Sequence, residues 1–477
     1  MQSVVVATPA ASRVSHRTMS GHQPPPSSLT WIGSDRRLAR SVARPVREFM
    51  AIEAASGVVL VIATIVALVW ANSPWSDVYH ELLDFHLLIE FGETIILDES
   101  VEHLINDGLM AIFFFVVGLE IKRELVAGEL RDPRAAALPT IAAVGGMVLP
   151  ALLFFALNTS GPEAKGWGIP MATDIAFALG VMSLLGNRVP TQLKLFLLAL
   201  AIVDDVGAIA VIAIFYTDEI NEPWLMAAVG LLVLVFTMQR QQIWYTPIYV
   251  VIGVVIWYAV LKSGIHATIA GVALGFLTPA IPLQREVAPD EVVGTVVDPE
   301  DLDAAGARRA SLFVRESVSV AERLETLIHP FSSFVILPLF ALANAGIELS
   351  SEGVSDASTS TVTLGIILGL IVGKTVGVTL FSWLAIHFGV STLPRGVNWL
   401  QMVAVAMLAG IGFTVALFIT GLAYKGDGLE VFDTQARMGI LLASLIASIL
   451  GLAMLSRATR PDKSQLRSSP VPPEVKQ

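Results

Sequence analysis

Long apolar runs alternate with short polar stretches along this chain. Runs of spanning length recur about twelve times, at roughly 52–71, 103–126, 135–157, 167–186, 191–216, 223–238, 246–261, 264–280, 324–346, 361–388, 398–421 and 435–456. A hydrocarbon core about 30 Å thick takes about 20 helical residues at 1.5 Å each. The pattern therefore predicts an all-α polytopic membrane protein of about 12 transmembrane helices. Two stretches break the rhythm. Phe85–Asp98 (FHLLIEFGETIILD) carries β-branched residues around Gly92-Glu93 and reads as a small β-hairpin on the outer face. Residues 282–319 are acidic and poor in apolar residues, and read as a cytoplasmic loop of linker character.

Composition agrees with the pattern. With 54% hydrophobic and 15% charged residues, the chain is too apolar for a soluble globular protein. The net charge of −11 is spread over short stretches between apolar runs, so no folded basic face is expected and no nucleic-acid partner. Zero cysteines exclude a disulfide framework, thiol chemistry and a Cys metal site. Residues 1–48 are rich in Ser, Pro and Arg and lack the apolar core of a signal peptide. They are expected to form a disordered cytoplasmic extension, with 49–456 the transmembrane domain and 457–477 a second disordered tail. Basic residues collect in Arg36–Arg47, Lys122–Arg134, Arg188–Lys194, Arg308–Arg323 and Arg457–Lys463, acidic ones in Asp77–Glu102, Asp218–Glu222, Glu348–Asp356 and Asp427–Asp433. Lys262 and Lys425 are small exceptions, and the excess of Lys and Arg on one side places both termini in the cytoplasm.

The chemistry stands out against the apolar background. Asp204 and Asp205 sit side by side near the middle of Leu195–Phe215, a run with no other charge. A carboxylate at the centre of a span costs about 2.5–3.5 kcal/mol even on the insertion scale, so two adjacent ones point to ion or proton handling. Adjacent helical residues point about 100° apart, so the two carboxylates do different jobs: one faces the ion path, the other a partner. Burial and a neighbouring carboxylate both favour the protonated form of a carboxyl, so such a site binds either H⁺ or a small hard cation. Lys374 is the only charge in Thr361–Phe388 until His387. It is too far from either end to reach water, and calls for a buried carboxylate partner.

Two spans carry interruptions. Gly166, Gly168 and Pro170 oppose a continuous helix through Lys165–Ala178, which contains Thr173 and Asp174; the plainer alternative is a helix start at the membrane interface capped by Thr173 or Asp174. Ala409–Thr414 (AGIGFT) is the second break. Corresponding interruptions in two parts of a transporter point to a midplane site built from an inverted repeat. Two broken helices meeting there expose two positive N-terminal and two negative C-terminal ends, which Asp174 and Lys374 are placed to neutralise. Glu120, Arg123 and Glu124 share a helix face at the cytoplasmic end of the second run, either as a functional cluster or as a solvated ion-pair group. Asp107, near the other end of that run, and His266, at the start of the eighth, have both functional and structural readings.

Taken together, the motifs INDGLMAIFFFVVGLEIKREL (105–125), GIPMATDIAFALG (168–180), LALAIVDDVGAIA (198–210), SGIHATIAG (263–271), HPFSSFVILPLFALANAG (329–346), VGKTVG (372–377) and AGIGFTVALF (409–418) resemble those of bacterial NhaA-family sodium/proton antiporters. The resemblance runs from about residue 48 to about 455. That family is itself a standard instance of inverted-repeat architecture with broken helices crossing at mid-membrane. The resemblance implies that Asp205 is the main cation ligand, and that Asp204 takes part in proton exchange and pairs with Lys374. Asp205, Asp204 and Thr173 are then the candidate ligands of the transported Na⁺, with Thr173 and Asp174 in the extended segment of a broken helix. Glu120, Arg123 and Glu124 would form the cytoplasmic mouth, and Glu325 would belong to a pH-sensing region, with His266 a further candidate there. It further implies electrogenic, pH-regulated exchange of Na⁺ or Li⁺ for H⁺ in the bacterial cytoplasmic membrane, no cofactor, and a homodimer joined through the hairpin at 85–98. The chain departs from the family pattern in VRESVSVAE (314–322), which lacks the expected His and Lys, and in residues 1–47 and 282–319.

Three other readings compete. Sodium-coupled uptake of an organic solute on a related fold would need a second, roomier polar pocket. An intramembrane aspartyl protease would need a GxGD segment, whereas KGDG (425–428) falls in a loop. A membrane sensor would need a soluble output domain, and none is apparent.

Overall fold

A computed structural model of the chain describes residues 53–459 apart from 93, 218–219, 242, 244–245, 283–310, 312–316 and 427. The extension 1–48, nearly all of the loop 282–319 and the tail from 460 lie outside the described residues.

The described chain is built from helices, with a single two-stranded sheet among the described residues. Helices α1 (Glu53–Ala71) and α2 (Ser76–Leu83) lead into strands β1 (His86–Phe91) and β2 (Thr94–Ser100). The strands pair antiparallel from His86 with Ser100 to Phe91 with Thr94, and Gly92 takes the left-handed conformation at the tip (φ 68°). The pairing thus reaches two residues further than the sequence pattern suggested. Ser100 then accepts a hydrogen bond from the His103 N–H and caps α3 (Val101–Val126). Asp132 caps α4 (Pro133–Leu157), whose first residue is the proline favoured there. After a tightly wound 3₁₀ run, Pro162–Met171, come α5 (Ile175–Ser183) and α6 (Thr191–Phe215).

Helices α7 (Glu222–Arg240), α8 (Thr246–Lys262) and α9 (Thr268–Leu277) follow. The second part comprises α10 (Val320–Asn344), α11 (Ser351–Thr359), α12 (Thr361–His387), α13 (Trp399–Leu408), α14 (Phe413–Ala423) and α15 (Glu430–Ala458). Among the described residues, seven helices are long and apolar enough to cross a bilayer, and up to nine spans result if each of two sharply bent pairs counts as one. The pairs are α1 with α2, bent by 115°, and α13 with α14, bent by 44°. Several of the twelve apolar runs are therefore too short or too interrupted to cross as one straight helix.

Among the described residues, three spans contain a widened π-helical turn: Leu104–Leu109 in α3, Ser332–Ile336 in α10 and Gly369–Gly373 in α12. The turn in α10 follows Pro330, whose missing N–H already breaks the ladder. The turn in α12 ends at Lys374 and so sets the direction of that side chain.

Lipid offers helices no hydrophobic drive to associate, so close packing of small residues must hold them. On α12, a Cβ at Gly377 would run into the Gly145 backbone of α4; on α9, one at Gly275 would lie 2.7 Å from the Phe115 carbonyl of α3. The main buried cluster joins α1, α3 to α6, α9, α10 and α12 to α15. Helices α7 and α8 sit outside it in a small cluster of their own with α9, and turn Met226, Val229, Val250 and Val254 outwards, as expected of lipid-facing helices.

Candidate functional site

Asp204 and Asp205 lie at the middle of α6 and are 1% and 4% exposed. They face different neighbours. Asp204 Oδ2 is 2.5 Å from Nζ of Lys374, which is wholly buried on α12. Lys374 also donates to the carbonyl of Met171, the last residue of the 3₁₀ run. Among the described residues no basic side chain forms an ion pair with Asp205. Its Oδ1, like Oδ1 of Asp204, is buried and makes no hydrogen bond to the protein. A buried carboxylate oxygen left without a donor is costly, so each is an acceptor available to a proton or a cation.

Beside this pair the backbone is interrupted twice. Residues 172–174 are extended between the 3₁₀ run and α5, and 409–412 join α13 to α14. The two interruptions touch. The Asp174 N–H donates to the Ile411 carbonyl (2.6 Å), and the Thr173 hydroxyl donates to the Ala409 carbonyl (2.9 Å). Asp174 Oδ1 accepts from the Phe177 N–H and so caps α5, while Oδ2 accepts from both the N–H (3.1 Å) and hydroxyl (2.7 Å) of Thr414 at the start of α14. One carboxylate thus faces two helix N-termini, where partial positive charge collects. The capping reading of Asp174 is therefore right locally, but the residue is 2% exposed and bridges two helices instead of closing one. Thr173 and the carbonyls of Met171, Ala409 and Ile411 surround the same few ångströms of backbone.

The structure brings Thr173, Asp174, Asp204 and Lys374 into one bonded group, with Asp205 next to it on α6. Glu120, Arg123, Glu124 and Glu325 form a second group. Arg123 on α3 lies 2.5 Å from Glu325 on α10 and 3.4 Å from Glu124, while His329 approaches Glu120 at 3.9 Å. Beside this second group lies a cleft of about 440 Å³, lined by Glu124, Gly128, Asp132, Leu195 and Leu198 among others. Leu198 is seven residues before Asp205, hence on the same face of α6 and about 10 Å away. Leu198 itself packs against an apolar cluster centred on Val117, Ile121 and Ile202.

His266 belongs to neither group; its Nε2 contacts the backbone carbonyl of Tyr216. Asp107 lies in the π turn of α3, where its carbonyl accepts from the Trp257 indole N–H. Among the described residues no three His, Cys, Asp or Glu side chains gather as a resident metal site. Sequence reasoning missed Thr414 and His329. Thr414 sits in a glycine break whose neighbours drew the attention, and a hydroxyl in an apolar run is too ordinary to stand out.

Comparison with known proteins agrees with the geometry. The model of the family described as "Na+/H+ antiporter 1" matches residues 47–455. The Na(+)/H(+) antiporter NhaA of Rhodopirellula baltica is 45% identical over 425 residues, 86% of this chain and 93% of that one. The Na(+)/H(+) antiporter NhaA of Vibrio parahaemolyticus is 44% identical over 422 residues, covering 88% and 99%. The Na(+)/H(+) antiporter NhaA 3 of Frankia alni is 43% identical over 433 residues, covering 90% and 93%.

Proposed function

Because the chain belongs to the NhaA family of Na⁺/H⁺ antiporters, we propose that it exchanges cytoplasmic Na⁺ or Li⁺ for external H⁺, electrogenically and by pH-regulated alternating access. It is a transporter of the bacterial inner membrane, not an enzyme. The observation that carries the mechanism is the asymmetry of the two carboxylates: Asp204 is held by Lys374, while Asp205 has no basic partner among the described residues and keeps a buried oxygen without a donor there.

In this reading Asp205 is the main cation ligand, with Asp204 and the Thr173 oxygen completing the coordination. H⁺ and Na⁺ compete for the same carboxylates, so each can load only after the other has left. That exclusion is what couples the two flows. Lys374 fixes Asp204 and balances its charge while the site is between cargoes. The interruptions at 172–174 and 409–412 are the midplane crossing of an inverted repeat, with Asp174 and Lys374 neutralising the helix ends that meet there. The cleft beside Glu124 is the cytoplasmic entrance. Glu120, Arg123, Glu124, Glu325 and His329 form a charged ring at its edge through which proton concentration regulates access, with His266 outside that ring. Both termini are cytoplasmic, and the chain forms a homodimer through the hairpin β1–β2.

The test is sodium addition to everted membrane vesicles holding an interior-acid pH gradient, made from a host without its own sodium/proton antiporters. Vesicles carrying the protein should show the interior pH rise on adding Na⁺, as H⁺ leaves in exchange. No response between about pH 6 and 9, with the protein shown to be inserted, would refute the proposal. The dimer is tested separately. Deleting residues 86–100 is expected to convert the detergent-solubilised protein to monomer in multi-angle light scattering, and a persistent dimer would refute the hairpin interface.

A further inference from the structure

The 3₁₀ run Pro162–Met171 is the arm that carries Thr173 and Asp174 into the site, and it is held from outside at three points. At its end, Lys374 donates to the Met171 carbonyl. In its middle, the hydroxyl of Tyr216 donates to the Lys165 carbonyl (2.7 Å) and accepts from the Gly168 N–H (3.2 Å). At its beginning, the hydroxyl of Tyr424 donates to the Glu163 carbonyl (2.8 Å). Both tyrosines are buried. Their places in the chain matter. Tyr216 is the residue directly after α6, the helix of Asp204 and Asp205, and Tyr424 directly follows α14, whose first turn binds Asp174. The run is shaped to receive them. A Cβ at Gly168 would lie 2.8 Å from the Tyr216 hydroxyl, and one at Gly166 would lie 2.9 Å from Cζ of Tyr424. Next to Tyr216, Phe215 meets Trp167 of the run edge-to-face at 5.0 Å.

We propose that Tyr216 and Tyr424 are positioning residues of the cation site, whose hydroxyls fix the arm bearing Thr173 and Asp174 to the far ends of the two helices that hold the carboxylates and the Asp174 partner. The inference rests on the antiporter reading. Neither hydroxyl touches the ion. Tyr216 lies eleven positions after Asp205, about 16 Å along the helix axis. They act by setting where the Thr173 oxygen stands relative to Asp205, and so by setting affinity.

The experiment compares wild type, Tyr216→Phe, Tyr424→Phe, Gly168→Ala and the combination of Tyr216→Phe with Gly168→Ala in proteoliposomes, measuring the half-saturating Na⁺ concentration, the maximal rate and direct binding of radioactive Na⁺ to purified protein. Tyr216→Phe removes one oxygen and keeps the ring. It is expected to raise the half-saturating Na⁺ concentration about threefold to tenfold, the range that one net hydrogen bond supports, with the maximal rate within about twofold and binding weakened in parallel. Tyr424→Phe should do the same to a smaller extent, and carries the test if Tyr216→Phe does not insert. Gly168→Ala pushes on the Tyr216 hydroxyl and should weaken Na⁺ binding alone, yet add little to Tyr216→Phe. Unchanged half-saturation in both tyrosine variants, or a fallen maximal rate and thermal stability with unchanged affinity, overturns the proposal. Wild-type protein that binds no Na⁺ would instead overturn the antiporter reading, so the two failures are distinguishable.

Discussion

Asp205→Asn is expected to reduce sodium-driven proton release to the level of vesicles without the protein, while leaving the protein folded and inserted. The substitution is nearly isosteric. Among the described residues Oδ1 of Asp205 has no hydrogen-bond donor and no basic side chain pairs with the group, so no ion pair is broken. What is lost is the negative charge and the ability to titrate. A neutral amide cannot exchange a proton for a cation, so coupling should vanish even if a little Na⁺ still binds. Direct Na⁺ binding should weaken at least tenfold, equivalent to about 1.4 kcal/mol. Thermal stability in detergent should change little or rise, because a buried carboxylate without a partner is itself unfavourable. Asp204→Asn should behave differently: it leaves the wholly buried Lys374 without its counter-charge, so stability and exchange should fall together. Normal exchange by Asp205→Asn would refute the assignment of that carboxylate, whatever else the protein does.

The parts of this site that stand out in the sequence are those whose chemistry is expensive in an apolar setting. Asp204, Asp205 and Lys374 are visible because charge in the middle of an apolar run demands a reason. The demand for a partner even narrows the pairing, although Asp204 and Lys374 are 170 residues apart. Interruption is visible too, because glycine and proline at 166–170 and glycine at 410–412 oppose helix where the hydropathy calls for it. Much of the remaining geometry is carried by groups without a signature. The carbonyls of Met171, Ala409 and Ile411 belong to side chains that say nothing about them. The hydroxyls of Thr414, Tyr216 and Tyr424 are ordinary in membrane helices, and only the fold reveals what they touch. The π turns are hidden for another reason: a helix apolar on all sides has no stripe whose drift would betray one extra residue. Span counting suffers from the same blindness, since a run such as 398–421, bent by 44°, has the hydropathy of one that is straight.

Lys374→Ala is expected to destabilise the protein by about 3–5 kcal/mol and to abolish exchange, because it removes the cation from a pair that water does not reach. Asp204 Oδ1 is already unbonded, and losing Lys374 strips Oδ2 of its donor as well. The Met171 carbonyl loses its donor in the same step, so the end of the arm that carries Thr173 and Asp174 is released. Asp204 can escape part of the cost by holding a proton permanently, and a proton that never leaves cannot be exchanged. This separates two contributions that a single substitution confounds. In the pair Lys374→Met with Asp204→Leu, neither charge of the buried ion pair is left behind alone, so stability should return towards wild type. Exchange should not return, since the carboxylate that takes part in proton exchange is gone. Lys374→Arg should keep the charge and much of the stability, but its planar fork cannot reproduce a single ammonium shared between Asp204 and the Met171 carbonyl, and exchange should fall with it. Thermal unfolding in detergent and sodium-driven exchange, measured on all four proteins, complete the comparison. Equal stability of Lys374→Ala and wild type would mean that the buried pair does not hold α6 to α12. Full exchange by the doubly substituted protein would mean that Asp205 carries both cargoes alone.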